Sequence, residues 1–150
     1  LSSVKGQLLE LVFSRKAPAY FGKLLRRTQV IPPEKMAELL EDRLPQEDLY
    51  EVLLSDVILR GQPYRRPDLT EIWVVVEVSS VVDRSDIFRA RRRAEILRQA
   101  GYQAIPAVAG EVLTDGAKDE ALRSKVFVLL DGLSLFWNEA LTNLKASTAD

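Results

Sequence analysis

The run EIWVVVEVSS, Glu71 to Ser80, constrains the fold of this chain more than any other stretch. Ile72, Trp73, Val74, Val75, Val76 and Val78 follow one another almost unbroken, which predicts a strand covered on both faces. Glu77 interrupts the run. A carboxylate in such a place is costly unless it is paired or holds a cation. The fold must therefore supply both a layered core and a partner for Glu77.

The rest of the chain predicts the layers. Residues 2 to 14 carry Val4, Leu8, Leu11 and Val12 at helical spacing, with Ser2 or Ser3 as cap. The segment APAYFGKLLRR reads as a turn and a second short helix. PPEKMAELLEDRL is a helix with Pro33 in its first turn and a stripe of Met36, Leu39 and Leu40. QEDLYEVLLSD opens as a short helix, and DVILRG is a strand ending at Gly61, followed by a polar loop. After the Glu77 strand, Asp83 or Ser85 caps a helix whose Ile87, Ala90, Ala94 and Leu97 repeat at gaps of three and four. Gly101 ends it. YQAIPAVAG and VFVLLDG are strands around the helix DGAKDEALRSK; LSLFWNEAL is a strand or a helical coda, and KASTAD a frayed tail. The expected fold class is α/β, a sandwich with a mixed sheet flanked by helices. The expected organisation is an N-terminal helical segment over 1–44, a core over 45–138 and a tail over 139–150.

Composition removes many chemistries. The 150 residues contain no Cys and no His, so thiolate nucleophiles, disulfides, imidazole acid–base work and most transition-metal sites are excluded. Oxygen ligands remain, and these suit hard cations such as Mg²⁺ or Mn²⁺. The net charge of −1 provides no global attraction to nucleic acid or membrane, so such affinity must come from a local patch. No apolar run approaches the roughly 20 residues of a membrane span. No signal peptide is read in LSSVKGQLLEL, and the expected location is cytoplasmic.

Three acidic residues occupy places suited to core residues: Glu10 in the first helix, Asp56 at the head of a strand, and Glu77. Adjacent strands can bring Asp56 and Glu77 together, where a divalent cation relieves both desolvation and repulsion. The Val78 carbonyl can add a ligand. From Arg84 to Arg98 six arginines stand against Asp86 and Glu95. The apolar stripe turns Arg91, Arg92 and Arg98 outward, as a phosphate-binding face or as a solvated face with pairs such as Arg91 and Glu95. Arg60, Arg65 and Arg66 follow Asp56 in a loop that reads as a substrate-facing lip or a plain soluble loop.

Gly6 and Glu10 as Gly-x-x-x-Glu on a helix, Asp56 at a strand start, an acidic apolar strand and a basic helix together resemble the PD-(D/E)XK nuclease superfamily. Restriction endonucleases and Holliday-junction resolvases belong to it. The resemblance covers most of residues 5 to 131, and is to a bacterial branch in which such a domain follows a helical or coiled-coil segment. It implies a restriction endonuclease-like sandwich and Mg²⁺- or Mn²⁺-dependent cleavage of DNA. Glu10, Asp56, Glu77 and Ser79 then stand at the catalytic positions, with Asp56, Glu77 and Val78 at the metal. Arg60, Arg65, Arg66, Arg89, Arg91, Arg92 and Arg93 face nucleic acid, and the N-terminal helices form a homodimer. No small-molecule cofactor and no membrane partner are implied. The chain departs from the pattern at Ser79, where active members carry Lys; an arginine from the 89–93 cluster is the expected substitute. The alternative is a catalytically impaired relative that binds DNA or protein.

Overall fold

The computed structural model describes residues 4–131 and 133–146. Its elements in chain order are α1 (Val4–Tyr20), β1 (Leu25–Val30), α2 (Pro33–Leu40), α3 (Gln46–Leu53), β2 (Val57–Pro63) and β3 (Ile72–Val82). There follow α4 (Arg84–Gln99), β4 (Ala104–Leu113), α5 (Asp115–Ser124), β5 (Phe127–Leu130), β6 (Leu133–Leu135) and α6 (Trp137–Leu141). The six strands form one sheet in sequence order. β1, β2 and β3 make an antiparallel meander; β3, β4 and β5 run parallel; β6 returns antiparallel to β5. The fold is α/β with a mixed sheet flanked by helices, as the alternating runs predict.

The strand period sorts β3 between two layers. Val74 and Val76 pack with Phe13, Ala17 and Phe21 of the α1 region and with Trp137 and Leu141 of α6. Trp73 and Val75 pack with Ala94 and Leu97 of α4 and with Met36, Leu40 and Val52 of α2 and α3. Glu77, two residues beyond Val75, therefore belongs to the α4 face. The predicted stripe of Ile87, Ala90, Ala94 and Leu97 is wholly buried. Asp83 is the cap of α4: its side chain accepts from the Asp86 N–H at 3.2 Å, and Asp86 accepts from the Asp83 N–H at 3.0 Å. Ser85 instead donates to Asp83 at 2.6 Å. Gly101, with φ of +97°, ends the helix in a conformation that side chains rarely adopt.

Three stretches differ from their expected form. The segment read as a turn and a short helix is the end of α1, a turn and the start of β1, so residues before 45 give the sheet a strand. β1 escapes recognition because it is irregular: its register shifts between Arg26 and Gln29, and Arg27 has φ of +54°. The α1 stripe of Val4, Leu8, Leu11 and Val12 is exposed, and the helix buries Phe13 and Ala17 instead. The segment after 138 is partly core: Ala140, Leu141 and Leu144 are buried, and Arg66 donates to the carbonyls of Leu141 at 2.9 Å and Leu144 at 3.2 Å. Ser2, Ser3 and the end of the tail lie outside the described residues.

β3 and β4 approach most closely beside the Glu77 end. Gly110 pairs with Ser79, and a Cβ at Gly110 would lie 2.0 Å from the Ser79 carbonyl oxygen. Gly110→Ala must push the parallel pair apart. It is expected to cost roughly 2–3 kcal/mol, in the range of other overpacked cores, measured as a lowered denaturant midpoint with unchanged slope.

Candidate functional site

Asp56 stands immediately before β2, opposite the carboxyl half of β3. Its carboxylate accepts from the Val78 N–H at 2.8 Å, and its own N–H donates to Glu77 Oε2 at 3.4 Å. These two reciprocal bonds lock Asp56 to the strand that carries Glu77. Glu10 reaches Asp56 from α1, and their carboxyl groups share a hydrogen bond. Glu10, Asp56 and Glu77 thus meet as a chain with Asp56 in the middle. They do not form a compact triad, because Glu77 faces α4 whereas α1 covers the opposite face.

Glu77 finds its partner in α4. Arg93 donates from Nη1 to Glu77 Oε1 at 2.6 Å, and both side chains are almost fully buried, at 7% and 2% exposure. The Arg93 guanidinium is held on its other side by Glu51 at 3.4 Å and by the Leu54 carbonyl at 3.4 Å. Arg89 lies 3.7 Å from the same Glu77 oxygen and is paired with Asp86, while its side chain stays 44% exposed. Asp86, Arg89 and Arg93 follow one another at gaps of three and four, which places them on one flank of α4 beside the apolar stripe.

The cost of gathering these acids shows in their protonation. Burial, then the Asp56 carboxylate and a hydrogen bond to it, push Glu10 up to about 6. Burial and then Asp56 push Glu77 up to about 7, with Arg93 pulling the other way. Burial also raises Asp56, against the Val78 N–H and the charges of Arg93 and Arg89.

The other sequence candidates are spread more widely. Ser79 shares the Glu77 face by strand period, but its hydroxyl donates to the Val81 carbonyl at 2.9 Å. Val78 meets Asp56 through its N–H. Arg92 is exposed beside Glu51 at 3.8 Å, and Arg91 lies 4.0 Å from Glu120. The Arg91–Glu95 pair does not form; Glu95 pairs with Arg98 at 3.5 Å. Arg98, expected to point outward, donates to the Ala104 carbonyl at 2.7 Å and is only 25% exposed. Arg60 donates to Gln29 at 3.3 Å and Arg65 is exposed. Arg66 is a structural staple bound to Asp68 at 2.8 Å and to the C-terminal carbonyls. Two contributors escaped the sequence reading. Glu51 looks like an ordinary residue of an amphipathic helix, and Ser55 lies beside Asp56 on a cleft of about 420 Å³ between α2, α3 and β2.

Among the described residues no group of three or more acidic side chains is arranged to hold a metal ion. The reason is local: both Glu77 oxygens are engaged, one by Arg93 and one by the Asp56 N–H. Asp56 and Glu10 remain as hard oxygen donors at one point. That pair suits Mg²⁺, which needs only one or two carboxylates besides water and phosphate oxygens.

The raised acids set a pH dependence. A carboxyl whose folded pKa lies above its unfolded value stabilises the fold while protonated, and that stability is lost as pH rises through the folded pKa. Glu10 and Glu77 therefore favour folding below about 4.5 and lose that contribution up to about 6 and about 7. The chain has no His to mask this window. The melting temperature is expected to fall from roughly pH 5 to pH 7.5. Glu10→Gln should flatten the lower part of the slope; an unchanged calorimetric profile would place its origin elsewhere.

Compared with known proteins, the chain matches no family model, and no curated protein or solved structure matches it significantly.

Proposed function

We propose that this chain is a PD-(D/E)XK-like domain, of restriction endonuclease-like fold, that hydrolyses DNA phosphodiester bonds with Mg²⁺ or Mn²⁺. The observation that carries this reading is Asp56, bound at once to the Val78 N–H and to the Glu10 carboxyl where α1, β2 and β3 meet. Those are the elements on which the resemblance places the motif. The antiparallel meander, the crossover through α4 and the parallel β4 support the same fold.

Asp56 and Glu10 would hold the cation. When bound, it supplies charge neutralisation at a phosphate and a more acidic water. The chain's own residues do the rest. Val78 and the strand register orient Asp56. Arg89, half-exposed beside Glu77, is placed to donate to a phosphate oxygen. Arg91 and Arg92, on the outer face of α4, add electrostatic attraction to a nucleic-acid backbone. Arg93 supplies positive charge near the position that Lys holds in active relatives, but as a permanently protonated group it cannot act as a base.

A second reading is a catalytically impaired domain that binds DNA or protein. It is favoured by one observation: Ser79 is turned to its own strand and Glu77 is fully engaged, so neither is poised for chemistry. The exposed stripe of Val4, Leu8 and Leu11 on α1 supports the homodimer proposed for either reading. Light scattering of Leu8→Glu, expected as monomer against a dimeric parent, checks it.

Cleavage of branched and linear DNA with Mn²⁺ or Mg²⁺ decides between the readings. Asp56→Asn is expected to lose at least about a hundredfold in rate, as for loss of a charged group acting in the transition state. Metal-dependent cleavage that survives this change would place the chemistry elsewhere. DNA retention on a gel without cleavage under any cation would establish the impaired module.

A further inference from the structure

The resemblance makes Glu77 a metal ligand, yet the fold surrounds it with cation of its own. Arg93 reaches Glu77 at 2.6 Å in a setting where neither side chain is more than 7% exposed. Its guanidinium is also fixed by Glu51 and the Leu54 carbonyl, both at 3.4 Å, so it is held in place from α3 as well as from β3. Arg89 approaches the same Glu77 oxygen at 3.7 Å but is tied to Asp86 and Ser85. Of the two, Arg93 is the one whose buried charge has Glu77 as its closest acceptor. Breaking such a pair by removing one partner leaves an uncompensated buried charge. A cation that recruits Glu77 has to displace Arg93 or fill its place.

We propose that Arg93 is a resident counter-ion that occupies the cation position at Glu77, so that Glu77 and a divalent cation join only when Arg93 lets go. This rests on the nuclease reading for the identity of the cation and deepens it. Asp56 and Glu10 form the open part of the site, and the Arg93–Glu77 pair is its closed part. Arg93 is thereby a positioning residue. It sets how tightly a cation is held and whether Glu77 belongs to the ligand set, without touching substrate.

The test is a double-mutant cycle read by calorimetry of Mn²⁺ binding and by melting temperature with and without Mn²⁺, on the whole chain and without DNA. Arg93→Met keeps the volume and removes the charge. It is expected to melt lower than the parent without metal, to regain most of that loss in Mn²⁺, and to bind Mn²⁺ at least about tenfold tighter, the change produced by about 1.4 kcal/mol. The gain should vanish in Arg93→Met with Glu77→Gln. An Arg93→Met protein that binds no tighter than the parent overturns the proposal, as does a gain that survives Glu77→Gln. If Arg93→Met does not fold, Glu51→Gln serves: freeing the second anchor of Arg93 should tighten Mn²⁺ binding about threefold, and no change overturns the proposal. The outcomes separate from those of the nuclease reading. A parent that binds Mn²⁺ and cleaves no DNA fails as a nuclease while the cycle still holds. A parent that cleaves with Mn²⁺, beside an Arg93→Met protein that binds no tighter, refutes the role of Arg93 alone.

Discussion

The buried pair of Glu77 and Arg93 is the interaction on which the rest depends. It joins the central strand β3 to the helix α4, and through Glu51 it ties α3 to both. Such a pair is a weak source of net stability, because desolvation offsets much of the attraction. Its value is positional. With Glu77 fixed, the Asp56 N–H has an acceptor, the Asp56 carboxylate reaches the Val78 N–H, and the head of β2 is locked to β3. The acidic chain from Glu10 to Glu77 has its geometry because Arg93 holds one end.

Much of this was legible in local sequence signals. The stripe on α4, the Asp83 cap, Pro33 at the start of α2 and the apolar run of β3 each depend on near neighbours, and each appears as expected. Asp56 and Glu77 were legible for the same reason, as charges in apolar surroundings. The choice of partner for Glu77 was not, since it depends on how α4 rolls against the sheet. A clue was present in the spacing of Asp86, Arg89 and Arg93 along one flank, but it needs the strand's face to be known first.

The failures are long-range. β1 gives little strand signal, with Arg26, Arg27 and Gln29 exposed and only Leu25 fully buried; its strand state comes from pairing with β2. α1 carries more apolar residues on its open face than on its packed one, so hydrophobic spacing points the wrong way. Arg66 reads as a substrate-facing loop residue and instead ties down the C-terminal segment, a contact across 78 positions that no local pattern encodes.

The same separation along the chain has a kinetic consequence. Glu10, Asp56, Glu77 and Arg93 come from four elements, and β3 meets β4 in a parallel pair that cannot form until α4 has been made. Contacts between distant segments form slowly because loop closure must come first. A collapsed intermediate with the α4 layer in place and α1 undocked would already bury Glu77 beside Arg93, yet lack the Glu10 contact to Asp56. Recovery of the acidic pair after refolding should therefore lag behind recovery of the aromatic core around Trp73, which belongs to the α4 layer.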